Sequence, residues 1–396
     1  MTLRNDAEYI LKKAITEALP DAAVKKALEG VCFGSGKLIL VAVGKAAWQM
    51  AFAAYQTPGL NFDNGAIITK HGYSGGPIGE FSIFEAGHPV PDENTFSATD
   101  HVIRMVSSLT EEDTVLFLLS GGGSALFEKP LISKEELYAL TDELLACGAD
   151  ITEINTVRKR LSAVKAGRFA KICAPAKIFS IVLSDIIGDP LDMIASGPAY
   201  PDASSSELAL AIINKYNLTL SEEALSSLLE ETPKTLDNVT TVVTGSVRQL
   251  CKSAESACRQ LGYEPVLLTA SLTCTARDAG SFLGAIAQFH ADDLHSVAYI
   301  AGGETVVRLT GSGKGGRNQE IALSAAEQIA GIHDCAVFSF GSDGTDGPTD
   351  AAGGYCDGDT YQILKKRHID ISTVLLQNDS YYALQACDGL IVTGPT

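Results

Sequence analysis

Leu38-Ile39-Leu40-Val41-Ala42-Val43-Gly44-Lys45 and Thr114-Val115-Leu116-Phe117-Leu118-Leu119-Ser120-Gly121-Gly122-Gly123-Ser124 decide how this chain is read. Each is a short β-rich run closed by glycine. In an open α/β sheet, ligands bind beyond the carboxyl ends of strands. Glycine there lets backbone N–H groups approach an anion closely. Three consecutive glycines are entropically costly for a tight turn alone, so Ser120, Gly121, Gly122, Gly123 and Ser124 read as a phosphate or carboxylate cradle. Lys45 falls where the strand meets a helical stretch at Ala46–Tyr55, and a helix N-terminus already favours anions.

Outward from these runs, Ala66–Thr69, Phe81–Glu85 and Lys177–Leu183 also have strand character. Helical stretches at Glu93–Ser108 and Lys134–Ala146 alternate with them. Such alternation predicts a Rossmann-like, doubly wound parallel sheet covered on both faces. Polar, loop-like sequence from Pro201 and the breaker Thr232-Pro233-Lys234 put a domain boundary near 235, giving α/β domains at 1–235 and 236–396. The second half resumes with strand-like runs at Thr240–Thr244, Pro265–Thr269, Ser296–Ala301, Thr305–Thr310, Cys335–Phe340 and Leu390–Val392. Ala301-Gly302-Gly303-Glu304 is short enough for a hairpin, which predicts a mixed second sheet.

Composition narrows the function classes. With 396 residues, 30 Lys+Arg, 48 Asp+Glu and a net charge of −18, two domains are expected and a nucleic-acid partner is disfavoured. The same balance disfavours an acidic membrane surface. No apolar run approaches the ~18–20 residues that span a bilayer, and the N-terminus lacks targeting character. The nine cysteines are odd in number and form no C-x-x-C, so buried thiols in a cytosolic protein are expected.

Further loops carry chemistry. Phe33-Gly34-Ser35-Gly36-Lys37-Leu38 evokes a P-loop, but Leu38 replaces the hydroxyl residue and the glycines precede the strand. Gly311-Ser312-Gly313-Lys314-Gly315-Gly316-Arg317-Asn318 matches G-x-G-x-x-G outside a leading βαβ unit. Its Lys314 and Arg317 favour a phosphate clamp over a dinucleotide. Two acidic loops, Ser184–Pro190 with Asp185 and Asp189, and Gly341–Asp350 with Asp346, could hold Mg²⁺ or bind hydroxyls. From Thr156 to Lys171 the chain is basic without an acid. Read as one helix, it lets Arg158 and Lys165 flank an apolar stripe, with Glu153 and Asn155 at its start.

These segments, in this order, resemble the class II glycerate 2-kinase family, whose members carry a C-terminal MOFRL domain. The matching residues are Val43-Gly44-Lys45-Ala46, Ala86-Gly87-His88-Pro89-Val90-Pro91-Asp92 and Leu119-Ser120-Gly121-Gly122-Gly123-Ser124-Ala125-Leu126. Gly148–Ile151, Glu153–Lys159, Leu183–Asp185, Asp189-Pro190 and Ile194-Ala195-Ser196-Gly197-Pro198 continue the match. It closes with Gly302-Gly303-Glu304-Thr305, Gly313–Glu320, Gly344–Gly353, Asn378-Asp379-Ser380 and Thr393–Thr396. Cys274-Thr275-Ala276 departs from the family's common Gly-Glu-Ala, and Val306 from its Thr-Thr-Val. Family members usually run on through a Gly-Thr-Asn-Val-Asn-like tail.

The resemblance implies transfer of a phosphoryl group from ATP to D-glycerate, with Mg²⁺, in a cleft between two α/β domains. Lys45 and Arg317 match the family's catalytic lysine and arginine. Ser120–Ser124 matches a ligand-binding loop, and Glu304, Lys314, Asn318 and Asp346 join the candidate substrate set with Glu153, Asn155 and Arg158. Asp189 is expected to orient the 2-hydroxyl or, with Asp185, to hold Mg²⁺. Assembly stays open, with a homodimer as the candidate. Two other readings compete: a nicotinamide-dependent hydroxypyruvate reductase and a non-catalytic binder of sugar acids.

Overall fold

The computed structural model describes residues 2–184 and 191–394. Six strands form one sheet: β1 (Leu38–Val43), β2 (Asn64–Lys70), β3 (Ser82–Ala86), β4 (Thr114–Leu119), β5 (Lys177–Leu183) and β6 (Val239–Thr244). Their order is β3-β2-β1-β4-β5-β6 and every neighbouring pair is parallel. This is the doubly wound α/β fold that the alternating pattern predicts. The chain winds outward from β1 to β3, then returns to place β4 on the other side of β1. That reversal is the switch point, where ligands of such sheets bind. Val43 lies opposite Leu119, so the Gly44 and Ser120 loops leave the sheet side by side.

Both faces of the sheet are covered, which is why β1 and β4 read as unbroken apolar runs. Val41, Val43, Phe117 and Leu119 pack with Ala98, Val102 and Phe169 on one face. Leu40, Ala42, Leu116 and Leu118 pack with Val24, Met50 and Ala54 on the other. Full burial of each such side chain is worth about 1.5–3 kcal/mol, so this alternation fixes the register.

The chain forms two compact units, Pro20–Ser246 and Met1–Leu19 with Val247–Thr396. The run at Thr240–Thr244, expected to open the second half, is instead the edge strand of the first sheet. The N-terminal helix Leu3–Ala18 packs within the second unit. Its Ile10 and Ala14 meet Ala254, Ala257 and Cys258, while Ala7, Leu11 and Ile15 meet Ala352, Tyr355 and Ile391.

In this second unit β7 (Glu264–Leu272) and β8 (Val297–Gly303) pair in parallel. Strands β9 (Ala336–Phe340), β10 (Gly353–Asp357) and β11 (Leu390–Ile391) form an antiparallel sheet in the order β11-β10-β9. The hairpin expected at Ala301–Glu304 is not formed. Beyond β8, Val306 makes only an isolated bridge to Thr275. The amides of Thr310 and Gly311 donate to the Asn378 side chain, at 2.8 and 2.9 Å, instead of to a neighbouring strand.

No helix among the described residues is long and apolar enough to cross a membrane. All nine cysteines are free thiols, but Cys32 and Cys147 are exposed, against the expectation of uniform burial.

Candidate active site

At the switch point the two glycine loops are tied together. Ser120 donates its amide to the Val43 carbonyl, and Lys45 donates its amide to the Gly121 carbonyl, each at 2.9 Å. The Ser120 hydroxyl accepts from the Ala46 amide at 3.1 Å. Gly44, at φ +127°, has no room for a side chain, because a β-carbon would collide with the Ser120 side chain and carbonyl. The helix Ala47–Tyr55 follows directly and carries Lys45 just ahead of its first turn, with the side chain exposed.

Gly122, at φ +85°, lies under two basic groups. A β-carbon there would be 3.2 Å from Lys45 Cγ and 3.1 Å from His88 Nε2. Among the described residues, the amides of Gly121, Gly122, Gly123 and Ser124 have no protein acceptor. Consecutive unspent N–H groups beside a lysine are a ready receptor for an anion.

A buried polar group supports the far end of this loop. The Lys165 ammonium donates to the Ser124 carbonyl at 2.8 Å and to the Glu128 carboxylate. Both side chains are buried. Burial pulls Lys165 down to about 8, against the opposing pull of Glu128. The Ser124 hydroxyl is 2.7 Å from that of Ser196. Ala195 and Ser196 both adopt positive φ, at 50° and 62°, which places backbone strain against the loop.

The basic run has a different role from the one its composition suggests. It is two helices, Ile151–Arg160 and Arg168–Cys173, not one. Arg168 ends the first by donating to the carbonyls of Arg160, at 2.8 Å, and Ser162, at 2.7 Å. Lys159 is buried against Asp192, at 3.2 Å, and Asp202, at 3.5 Å, while Arg160 is buried against Glu231 at 3.1 Å. These charges hold the fold and present no basic face. Glu153 completes a capping box with Asp150, and its carboxylate also accepts from Tyr216 at 2.7 Å and Lys215 at 2.5 Å. Those bonds hold it down to about 2. Arg158 is half-buried, with its Nε enclosed and unpartnered, and its charge reaches Lys165. Asn155 is half-buried on the same helix.

In the second unit, Arg317 opens the helix Arg317–Ala325 and pairs with Glu304. Both side chains are substantially exposed, so the pair is worth about 0–1 kcal/mol and releases its arginine readily. Asp346 is almost fully buried beneath that helix start. Its carboxylate accepts from the Asn318 amide at 3.1 Å, the Asn318 side chain at 3.1 Å and the Gln319 amide at 2.9 Å. Burial raises its pKa and these bonds lower it, with burial prevailing. Asn318 is also buried, and its side-chain oxygen accepts from Ser339 at 2.6 Å.

The Gly311–Gly316 loop has more of its backbone engaged than the run Gly121–Ser124. Three of its amides are engaged, that of Gly311 on Asn378 together with Thr310 just before the loop, that of Gly313 on the Gln377 carbonyl at 2.8 Å, and that of Lys314 on Asp379 at 2.9 Å. The Lys314 ammonium lies 4.1 Å from the centre of the Tyr381 ring. Asp185 and Asp189 lie outside the described residues. Among the described residues, no group of three His, Cys, Asp or Glu side chains could hold a metal ion.

Sequence reasoning singled out Ala86–Asp92 without giving His88 a role, and it did not anticipate the Lys165–Glu128 support. His88 was visible in its motif. Glu128 carries no periodic signal of its own.

A doubly wound sheet with an unspent glycine loop and a lysine at its switch point is an α/β arrangement suited to an anionic ligand. Comparison with known proteins narrows the class. Residues 6–230 match the model of a domain of unknown function, DUF4147, and residues 297–396 match the MOFRL family. The chain is 51% identical to a D-glycerate 2-kinase of Thermotoga maritima, over 100% of this chain and 96% of the relative. It is 41% identical to a glycerate 2-kinase of Pyrococcus horikoshii, over 91% of this chain and 85% of the relative. A crystal structure of the Thermotoga maritima glycerate kinase superposes with a TM-score of 0.93 at 50% identity, covering 99% of this chain and 96% of that one. The chain belongs to the class II glycerate kinase family.

Proposed function

We propose that this chain is an ATP-dependent glycerate 2-kinase that transfers the γ-phosphoryl group to the 2-hydroxyl of D-glycerate, giving 2-phosphoglycerate and ADP in the cytosol. The observation that carries the reading is the set of unspent amides at Gly121–Ser124 beside Lys45, in a chain half identical to a named D-glycerate 2-kinase. Phosphoryl transfer asks a protein mainly for positioning and charge neutralisation. The Gly121–Ser124 amides bind an anionic group of the substrates. Lys45 neutralises charge on the moving phosphoryl, and Arg317, the arginine that the family resemblance names, has only an exposed Glu304 partner to give up. Asn318 and Asp346 fix the helix start that carries Arg317. Arg158 is a candidate partner for the glycerate carboxylate.

Mg²⁺ suits the oxygen donors of Asp185 and Asp189, and when bound it would neutralise the nucleotide's phosphates. Asp189 orients the 2-hydroxyl in this reading. The reductase alternative needs a dinucleotide site at the G-x-G-x-x-G loop, where the amides of Gly311 and Lys314 are taken by Asn378 and Asp379 and the loop follows no leading βαβ unit. ADP release with D-glycerate and ATP, set against NADH oxidation with hydroxypyruvate, separates the two. Oxidation of NADH without ADP release would overturn the kinase reading.

A further inference from the structure

Attack by a hydroxyl group requires somewhere for its proton to go. His88 stands over the same glycine loop as Lys45. A β-carbon built on Gly122 would be 3.0 Å from His88 Cδ2, 3.1 Å from its Nε2 and 3.2 Å from Lys45 Cγ. Three separate segments therefore meet there: the loops after β1 and β4, and the one after β3. The His88 imidazole is half-buried and has no hydrogen-bond partner among the described residues. Its ring nitrogens are not engaged in holding the fold, unlike those of neighbouring His71, whose Nε2 lies 2.7 Å from Asp92.

We propose that His88 is the proton acceptor of the reaction, taking the proton of the attacking hydroxyl as that oxygen bonds to phosphorus. The assignment rests on the kinase reading given above. In the step, the substrate oxygen forms a bond to the γ-phosphorus while the bond from that phosphorus to the β-bridging oxygen breaks. ADP leaves with that electron pair, and the hydroxyl proton passes to the imidazole and then to solvent. The surroundings suit a base. Burial, followed by the charges of Lys45 and Lys70, lowers the His88 pKa below its ordinary value of 6.5, so the ring is neutral at pH 7. Lys45 faces it from the loop after β1 and Lys70 from the end of β2. On its own loop the Asp92 carboxylate is engaged with His71 and with the Thr95 amide at 2.9 Å.

The test compares wild type, His88→Gln and His88→Ala with D-glycerate, ATP and Mg²⁺ across pH 5 to 8.5, with thermal melting to confirm folding. Wild-type kcat/KM is expected to fall along one limb below about pH 6.5, as the imidazole takes a proton and loses its acceptor site. His88→Gln should lose that limb and turn over about a hundredfold more slowly or worse, with KM for glycerate little changed. Added imidazole should partly restore His88→Ala. Wild-type turnover in His88→Gln, a surviving acid limb, or no imidazole rescue would each overturn the assignment alone. A wild-type chain that releases no ADP would overturn it together with the kinase reading.

Discussion

The amide of Lys45 is bonded to the carbonyl of Gly121 at 2.9 Å, so the lysine and the glycine loop are one structural unit. Their strands pair in parallel with Val43 opposite Leu119, and the two loops leave the sheet at the same level. Moving either loop moves the other.

Lys45→Met should therefore leave the fold intact and remove the charge the transfer needs. The side chain is exposed, so little stability is at stake. We expect kcat to drop more than about tenfold, each ten being about 1.4 kcal/mol of barrier, with unchanged melting. Steady-state kinetics at saturating ATP check this. Arg317→Ala should show the same pattern.

Gly122→Ala separates backbone strain from crowding. Gly148 also has a positive φ, 79°, but open space around it, whereas a β-carbon at Gly122 would press on His88 and Lys45. Both substitutions should cost about 1–2 kcal/mol in denaturant unfolding. Only Gly122→Ala should also lower kcat/KM, by tenfold or more on the order of one lost hydrogen-bonded contact.

Asp346→Ala removes the acceptor for two helix amides and the Asn318 side chain. Leaving them unpaired in a buried site should cost about 1–3 kcal/mol in urea or guanidinium unfolding. Because Arg317 begins that helix, turnover should fall as well, and Asp346→Asn should recover part of both losses.

Glu153 gives the pH prediction. Its folded pKa, about 2, is depressed from an ordinary value of 4.5, chiefly by Lys215 and then by Tyr216. The unfolded chain thus takes up the proton first as pH falls. The contribution is fully present above pH 4.5 and fades as pH falls towards 2. Glu153→Gln should melt below wild type at pH 7, and the gap should narrow on acidification through that window.

Much of this was legible in the chain. The six-residue runs at Leu38–Val43 and Thr114–Leu119 name their own burial, because two covered faces leave no polar alternation. The glycines after them mark the candidate site at the switch point. What local sequence could not show was where backbone donors go. Ser120–Ser124 and Gly311–Gly316 look equally suited to an anion, yet only the second meets Asn378 and Asp379, more than sixty residues later. The basic run misled for the same reason. The acids that bury Lys159, Arg160 and Lys165 are Asp202, Glu231 and Glu128, all distant in sequence. Thr305–Thr310 has strand composition, but the Asn378 side chain takes the hydrogen bonds a partner strand would need.

The central claim is the transfer of phosphoryl from ATP to the 2-hydroxyl of D-glycerate. A phosphorus NMR spectrum of the product formed from D-glycerate, ATP and Mg²⁺ tests it most directly. The account predicts the resonance of 2-phosphoglycerate growing with that of ADP. A 3-phosphoglycerate resonance, or ATP left unconsumed while another hydroxy acid is phosphorylated, would contradict it.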